Sequence, residues 1–92
     1  MEWRASHILV KDRSLANHIL KQLKSGGKFR DMAKEHSTCP SKNKGGDLGW
    51  FGPGKMVREF EETVKKMSNG RISGIVRTQF GFHIIKKTGQ KE

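Results

Sequence analysis

The stretch Gly45–Phe60, GGDLGWFGPGKMVREF, decides how the rest of the chain is read. Paired glycines, Gly45 and Gly46, lead through Asp47, Leu48 and Gly49 to Phe51, Gly54, Met56 and Phe60. Glycine loses more conformational freedom on ordering than any other residue, so so dense a run does not suit a helix interior or a regular strand. Yet Leu48, Trp50, Phe51, Met56 and Phe60 are too apolar for an ordinary solvated turn. The spacing predicts a tight loop running into a helix, with Met56 and Phe60 on one helical face at i,i+4. Such an arrangement either lines a shallow apolar cup or packs on its own core. The stretch alone leaves both open.

Outward from it, the chain reads as helices and strands. On its N-terminal side, residues 3–11 (WRASHILVK) are strand-like. Alternation puts Ala5, His7 and Leu9 on one face and Ser6, Ile8 and Val10 on the other, and apolar residues on both faces predict a central strand. Ser14 is a suitable N-cap for a helix over about 15–25, where Leu15, Ile19 and Leu23 repeat at i, i+4, i+8 and Gly26-Gly27 closes the helix. A second helix is expected over 29–36, carrying Phe29, Met32, Ala33 and His36. Residues 37–44, with Pro40, form a connection holding at most one short helical turn. Beyond the glycine-rich stretch, 57–67 is a third helix with Phe60, Val64 and Met67 inward, stopped by Asn69-Gly70. A short strand at 75–77, a turn at 78–81 and a strand at 82–87 end the chain. The pattern is β-α-α-loop-α-β-β, an α+β domain with helices on a small antiparallel sheet.

Composition narrows the class. Ninety-two residues with 33% hydrophobic content make one domain with a small core. No apolar run approaches the ~20 residues that cross a bilayer, so no membrane partner is expected. The opening Met1-Glu2-Trp3 passes straight into strand-like sequence without a secretory pattern, and Cys39 is the single cysteine. The expectation is a cytoplasmic, reducing setting and, with no spare apolar face, a monomer. Nineteen basic against nine acidic residues give a net charge of +10. That charge attracts polyanions. It is dispersed, however, and no strip of basic residues interleaved with aromatics is visible, so weak electrostatic association with nucleic acid or the ribosome is expected rather than sequence-specific binding.

Two of the four histidines lie inside the two best strands: His7 in SHILVK and His83 in GFHIIK. On neighbouring strands they would be close enough to interact, with at least one neutral at pH 7 and one ring setting the tautomer of the other. A histidine inside a strand is also an ordinary half-buried residue. Cys39 beside these imidazoles raises a thiol nucleophile, but neither an orienting third group nor an oxyanion loop is apparent. His36 and Cys39 have ligand-like spacing for zinc, without the second pair of ligands a structural site needs. His18 and His36 are most simply surface or capping residues.

The motifs together resemble the parvulin family of peptidyl-prolyl cis/trans isomerases, over nearly the whole chain. Its opening His-[Ile/Leu]-Leu-Val-Lys pattern is matched by His7–Lys11. Its Cys or Asp before G-G-D-L-G-x-F is matched by Cys39 and by Gly45–Phe51. Its G-x-M-x-x-x-F is matched by Gly54, Met56 and Phe60, and its T-x-x-G-x-H-I-I by Thr78, Gly81, His83, Ile84 and Ile85. Four blocks in order make the resemblance specific. It implies a four-stranded antiparallel sheet surrounded by about four helices, in the order β-α3-β-α-β2. It also implies isomerisation of Xaa-Pro bonds in polypeptides, with no cofactor and no metal. By position it makes His7, Cys39, Thr78 and His83 the polar network of the site, and Leu48, Met56 and Phe60 the pocket for the proline ring, with Phe80 shaping its wall. Gln79 has no assigned role. Family members often carry Asp at the position of Cys39, which favours a non-covalent mechanism. The phosphate-directed branch of the family has a longer, arginine-bearing loop after the first strand. Here that loop is Asp12-Arg13-Ser14, so phosphorylation is not expected to be required. The rival reading is a catalytically silent parvulin fold that binds peptides or nucleic acid.

Overall fold

The computed structural model describes residues 1–92. Four strands, β1 (Glu2–Val10), β2 (Asp47–Phe51), β3 (Ile72–Thr78) and β4 (Gly81–Lys91), form one antiparallel sheet in the order β2-β1-β4-β3. Helices α1 (Arg13–Lys24) and α2 (Phe29–His36) cover one face, and α3 (Arg58–Lys66) covers the other. A 3-10 turn, Pro40–Lys44, links α2 to β2. The expected "about four helices" therefore resolves into three α-helices and this turn.

β1 and β4 are the central pair, and alternation along them feeds two cores. Ile8, Val10 and Ile84 meet Ala16, Ile19, Leu23, Phe29 and Ala33 of α1 and α2. Trp3, Ala5 and Ile85 meet Phe51 and the α3 residues Phe60 and Val64. α1 begins two residues earlier than the apolar repeat suggested. Asp12, not Ser14, is its N-cap, its carboxylate accepting from the Ser14 N–H at 3.1 Å. At the far end of α3, Lys87 is 2% exposed and has no carboxylate partner. Its ammonium donates to the Met67 carbonyl (2.8 Å) and to Gln90 Oε1 (2.6 Å), so a cation closes the negative end of the helix.

The largest departure from the pattern read along the chain is β2. Asp47–Phe51, expected as loop on account of its glycines, is an edge strand paired with β1 through Trp3↔Phe51, Arg4↔Trp50 and Ser6↔Asp47. Gly49, at φ 74°, lies in a bulge that places two residues opposite Ala5. An edge strand with a bulge tolerates a glycine that a central strand would not. Gly46 has a different task. It stands at φ 89°, and a Cβ there would lie 2.5 Å from the His7 carbonyl oxygen and 3.3 Å from Ala33 Cβ. This close approach lets the His7 N–H donate to the Gly46 carbonyl at 2.9 Å and starts the β1–β2 pairing. Gly46→Ala is expected to cost at least about 2 kcal/mol, from the left-handed backbone alone plus the clash. Urea unfolding of the variant checks this, and an unchanged midpoint would refute the close-packing account.

Candidate active site

The two strand histidines meet on the α3 face of the sheet. They are not directly opposite, since His7 pairs with Ile85 and Leu9 with His83, but diagonal neighbours on adjacent strands. Their Nδ1 atoms lie 3.0 Å apart, and His83 Nε2 is 2.7 Å from Thr78 Oγ1. Thr78 Oγ1 also accepts from the Phe80 N–H at 3.1 Å, which ties the two-residue β3–β4 turn to the network. Thr78 is buried beneath the site and acts through His83 and the turn, while Phe80, half exposed, forms part of the wall.

Burial pushes the His7 imidazole down to about 4, helped by the neighbouring His83. Burial also lowers His83, against a partly opposing pull from Glu59. Both rings are therefore neutral at pH 7, and two proton arrangements satisfy the chain. In one, the Thr78 hydroxyl donates to His83 Nε2, His83 Nδ1–H donates to His7 Nδ1, and His7 Nε2 carries a proton. In the other, every proton shifts the opposite way and His7 Nε2 is bare. That atom is buried and has no partner in the protein, so it is the network's one unsatisfied end.

Phe60 supports this network from α3. It is 2% exposed and stands edge-on to both imidazoles, with ring centroids 5.7 Å from His7 and 5.8 Å from His83, and packs against Phe51 at 5.9 Å. Above lies a cavity of about 350 Å³ lined by His7, Leu9, Cys39, Leu48, Lys55, Met56, Val57, Phe60, Phe80 and His83. Seven of the eight residues proposed from sequence line it, and Thr78 lies directly behind. The cup, not the self-packed loop, is what the glycine-rich stretch builds.

Cys39 reaches the cavity because the chain after α2 is tied to the end of β1. Ser37 Oγ accepts from the Leu9 N–H (3.1 Å) and the Cys39 N–H (3.3 Å), and the Thr38 N–H donates to the Leu9 carbonyl at 2.8 Å. The thiol is partly buried and has no hydrogen bond to either imidazole. The arrangement thus lacks the thiol–imidazole contact that would activate a nucleophile. His36 lies at the end of α2, its Nε2 3.7 Å from Glu35, and no three side chains of metal-binding type cluster anywhere in the fold. His18 pairs with Gln22 on the surface of α1. Three lining residues were not singled out from the sequence: Leu9, Val57 and Lys55. Leu9 was legible, because alternation puts it on the face of His7. Val57 and Lys55 flank Met56 where the chain enters α3, and nothing local signals their direction.

A family model described as "Rotamase: PPIC-type PPIASE domain" matches residues 7–89. The chain belongs to that family of peptidyl-prolyl isomerase domains. Its relatives include the foldase protein PrsA of Bacillus subtilis, 52% identical over 89 residues, which cover 96% of this chain and 30% of that protein. PrsA of Geobacillus kaustophilus is 52% identical over 97% of this chain and 32% of its own length. The chain thus spans about a third of these curated relatives. Among solved structures, PrsA of Bacillus anthracis matches with a TM-score of 0.97 at 48% identity, covering 99% of this chain and 42% of that one. NmPin, the parvulin of Nitrosopumilus maritimus, matches with a TM-score of 0.84 at 44% identity and 96% coverage of both chains. In this isomerase domain the parvulin fold, with its four-stranded antiparallel sheet, is as the sequence motifs implied.

Proposed function

We propose that this domain accelerates cis/trans rotation about Xaa-Pro bonds in polypeptides, without requiring phosphorylation, and so assists protein folding. The observation that carries the reading is the apolar cavity of Leu48, Met56, Phe60 and Phe80 set directly on the neutral Thr78–His83–His7 chain. Amide rotation faces a barrier of ~18–20 kcal/mol because resonance must be broken. In the twisted transition state the amide loses its charge separation, so an apolar cavity of this kind favours it over the planar ground state. Leu48, Met56 and Phe60 grip the proline ring while the preceding carbonyl turns. Cys39 and the paired imidazoles adjust hydrogen bonding around it, the Thr78–His83–His7 chain shifting its protons between its two arrangements.

Freedom from phosphorylation is supported by the β1–α1 loop. Asp12 is occupied in capping α1, and the Arg13 guanidinium lies 5.9 Å from the Phe82 ring on the opposite sheet face. Neither Lys11 nor Arg13 lines the cavity, where Lys55 is the only cation. The domain acts as a cytoplasmic monomer with weak electrostatic attraction to nucleic acid or the ribosome. A single free thiol and a charge of +10 support this. Recovery in a membrane or extracellular fraction, or a dimer mass in solution, would count against it.

Proton exchange spectroscopy on a short unphosphorylated Xaa-Pro peptide tests the activity. Wild type is expected to give exchange cross-peaks, and Met56→Ala to weaken catalysis by roughly tenfold or more, the loss of about 1.4 kcal/mol of pocket contact. If no exchange appears with any peptide, phospho-Ser-Pro included, the silent binding module replaces this reading.

A further inference from the structure

The sheet face opposite the isomerase cavity is only partly covered. α1 and α2 pack over Ile8, Val10 and Ile84, and at their margin Arg4 of β1 and Lys86 and Thr88 of β4 stay accessible while Ser6 of β1 is buried. There a separate cleft of about 220 Å³ is lined by these four residues with Phe29, Arg30, Lys44, Gly45 and Asp47. Arg30 comes from the start of α2 and Lys44 from the end of the 3-10 turn. They converge because α2 approaches Gly45 closely, where a Cβ would meet Arg30 Cβ at 2.9 Å.

The charges do not cancel. Asp47 is the one acid in the cleft, and it is bonded to Arg4 through Arg4 Nη2 at 2.5 Å and Arg4 Nε at 3.3 Å. The Arg4 guanidinium in turn holds the Asp47 carboxyl below its usual range. Arg30, Lys44 and Lys86 form no ion pair, although the charge of Lys44 also helps to hold the Asp47 carboxyl down. Beside them stands an exposed aromatic. Trp50 is the cross-strand neighbour of Arg4 and is 41% exposed. Its indole reaches across the bare sheet to β4, where the absence of a side chain at Gly89 admits it: a Cβ there would lie 2.8 Å from Trp50 Cη2. Lys91, which also pairs with Glu2 at 3.5 Å, stands 4.5 Å from the ring centroid.

We infer that this face binds single-stranded nucleic acid, with backbone phosphates in the Arg30–Lys44–Lys86 cleft and a base on Trp50. Three unpaired cations and two hydroxyls around a concavity suit successive phosphates. An adjacent aromatic on a β-sheet supplies sequence-tolerant stacking, the combination by which single strands are held. A bilayer surface would be met by a flat or convex face with apolar groups to insert, whereas here the one apolar side chain in the cleft, Phe29, is buried. The site is independent of the isomerase cavity. It gives a defined place to the general electrostatic attraction proposed above, and the experiment separates the two.

The intact chain is titrated with fluorescein-labelled oligothymidylate and oligouridylate of about 12 nucleotides, reading anisotropy and tryptophan emission. Trp3 is buried, so quenching reports on Trp50. Three phosphate contacts on a single strand predict a log–log salt slope of about −2, a loss of roughly 20-fold in affinity between about 50 and 200 mM salt. Trp50→Ala is expected to weaken binding about tenfold, and Arg30→Glu with Lys44→Glu by more, while isomerase activity is kept as the check on folding. Lys65→Glu with Lys66→Glu makes the same change of net charge on α3, across the sheet. Equal weakening by that control would overturn the site in favour of charge alone. So would binding without tryptophan quenching, no oligonucleotide binding, or quenching by phosphatidylglycerol vesicles only.

Discussion

Replacing Phe60 by alanine is expected to destabilise the domain by about 3–5 kcal/mol and to abolish catalysis in the fraction that remains folded. Phe60 belongs to both the core and the cavity. Its ring is buried in the core that also holds Trp3, Phe51, Val64 and Ile85, and it also stands edge-on to both imidazoles and lines the cavity. Alanine would remove the aromatic contacts and leave a void beneath the cavity. A domain of 92 residues has a total stability of roughly 5–14 kcal/mol, so the loss is a large fraction of it. Phe60→Leu keeps most of the volume but not the edge-on geometry. It should recover much of the stability and little of the rate. Urea unfolding and peptide exchange measured on the same preparations test this. A stable Phe60→Ala with wild-type exchange would show that neither the core nor the cavity depends on the ring.

Acid should weaken the fold through the same pair of strands. The unfolded chain takes up a proton on His7 near pH 6.5, whereas the folded chain does so only near 4, because the ring is buried beside His83. Between those values the unfolded state binds more protons. The stability is therefore fully present above pH 6.5 and is lost progressively as pH falls to about 4, by about 3 kcal/mol from His7. His83 is shifted in the same direction and adds to the fall. The hydrogen-bond geometry gives the same sign. One proton on the pair still leaves an Nδ1–H facing a bare Nδ1, but a second puts two donors 3.0 Å apart. Urea unfolding at pH 7, 5.5 and 4 should show a distinctly flatter dependence for His7→Leu than for wild type. Parallel curves would remove His7 as the source of the acid sensitivity.

The helices and the central strand were legible because their signals are local. The Leu15/Ile19/Leu23 repeat, the 29–36 face and the apolar residues on both faces of 3–11 each report which sides of an element meet a core, and β1 is indeed central. Asp47–Phe51 was not legible as a strand. Its glycines argue against one, and what makes it a strand is the partner: an open edge of β1, with Gly49 absorbing the bulge. The cavity residues Leu48, Met56, Phe60 and Phe80 came from the order and spacing of motifs in the parvulin resemblance. Periodicity put Met56 and Phe60 on one helical face, but Met56 precedes α3, which starts at Arg58, and reaches the cavity from the loop before it.

Sequence by itself determined the three helices, three of the four strands and the family, and it nominated seven of the residues that line the cavity, since each depends on residue type and spacing along the chain. Only the tertiary structure decided how those residues meet. Whether His7 and His83 share a hydrogen bond depends on the register of strands 76 residues apart in the chain. The basic cleft beside Trp50 shows this most plainly. Along the chain the charge looks dispersed, with no basic strip among aromatics. In the fold, Arg30, Lys44 and Lys86 come from a helix, a turn and a strand to one bare patch of sheet next to that ring. Spacing along a chain reports the faces of single elements, whereas a site assembled from several elements exists only once their packing sets their distances.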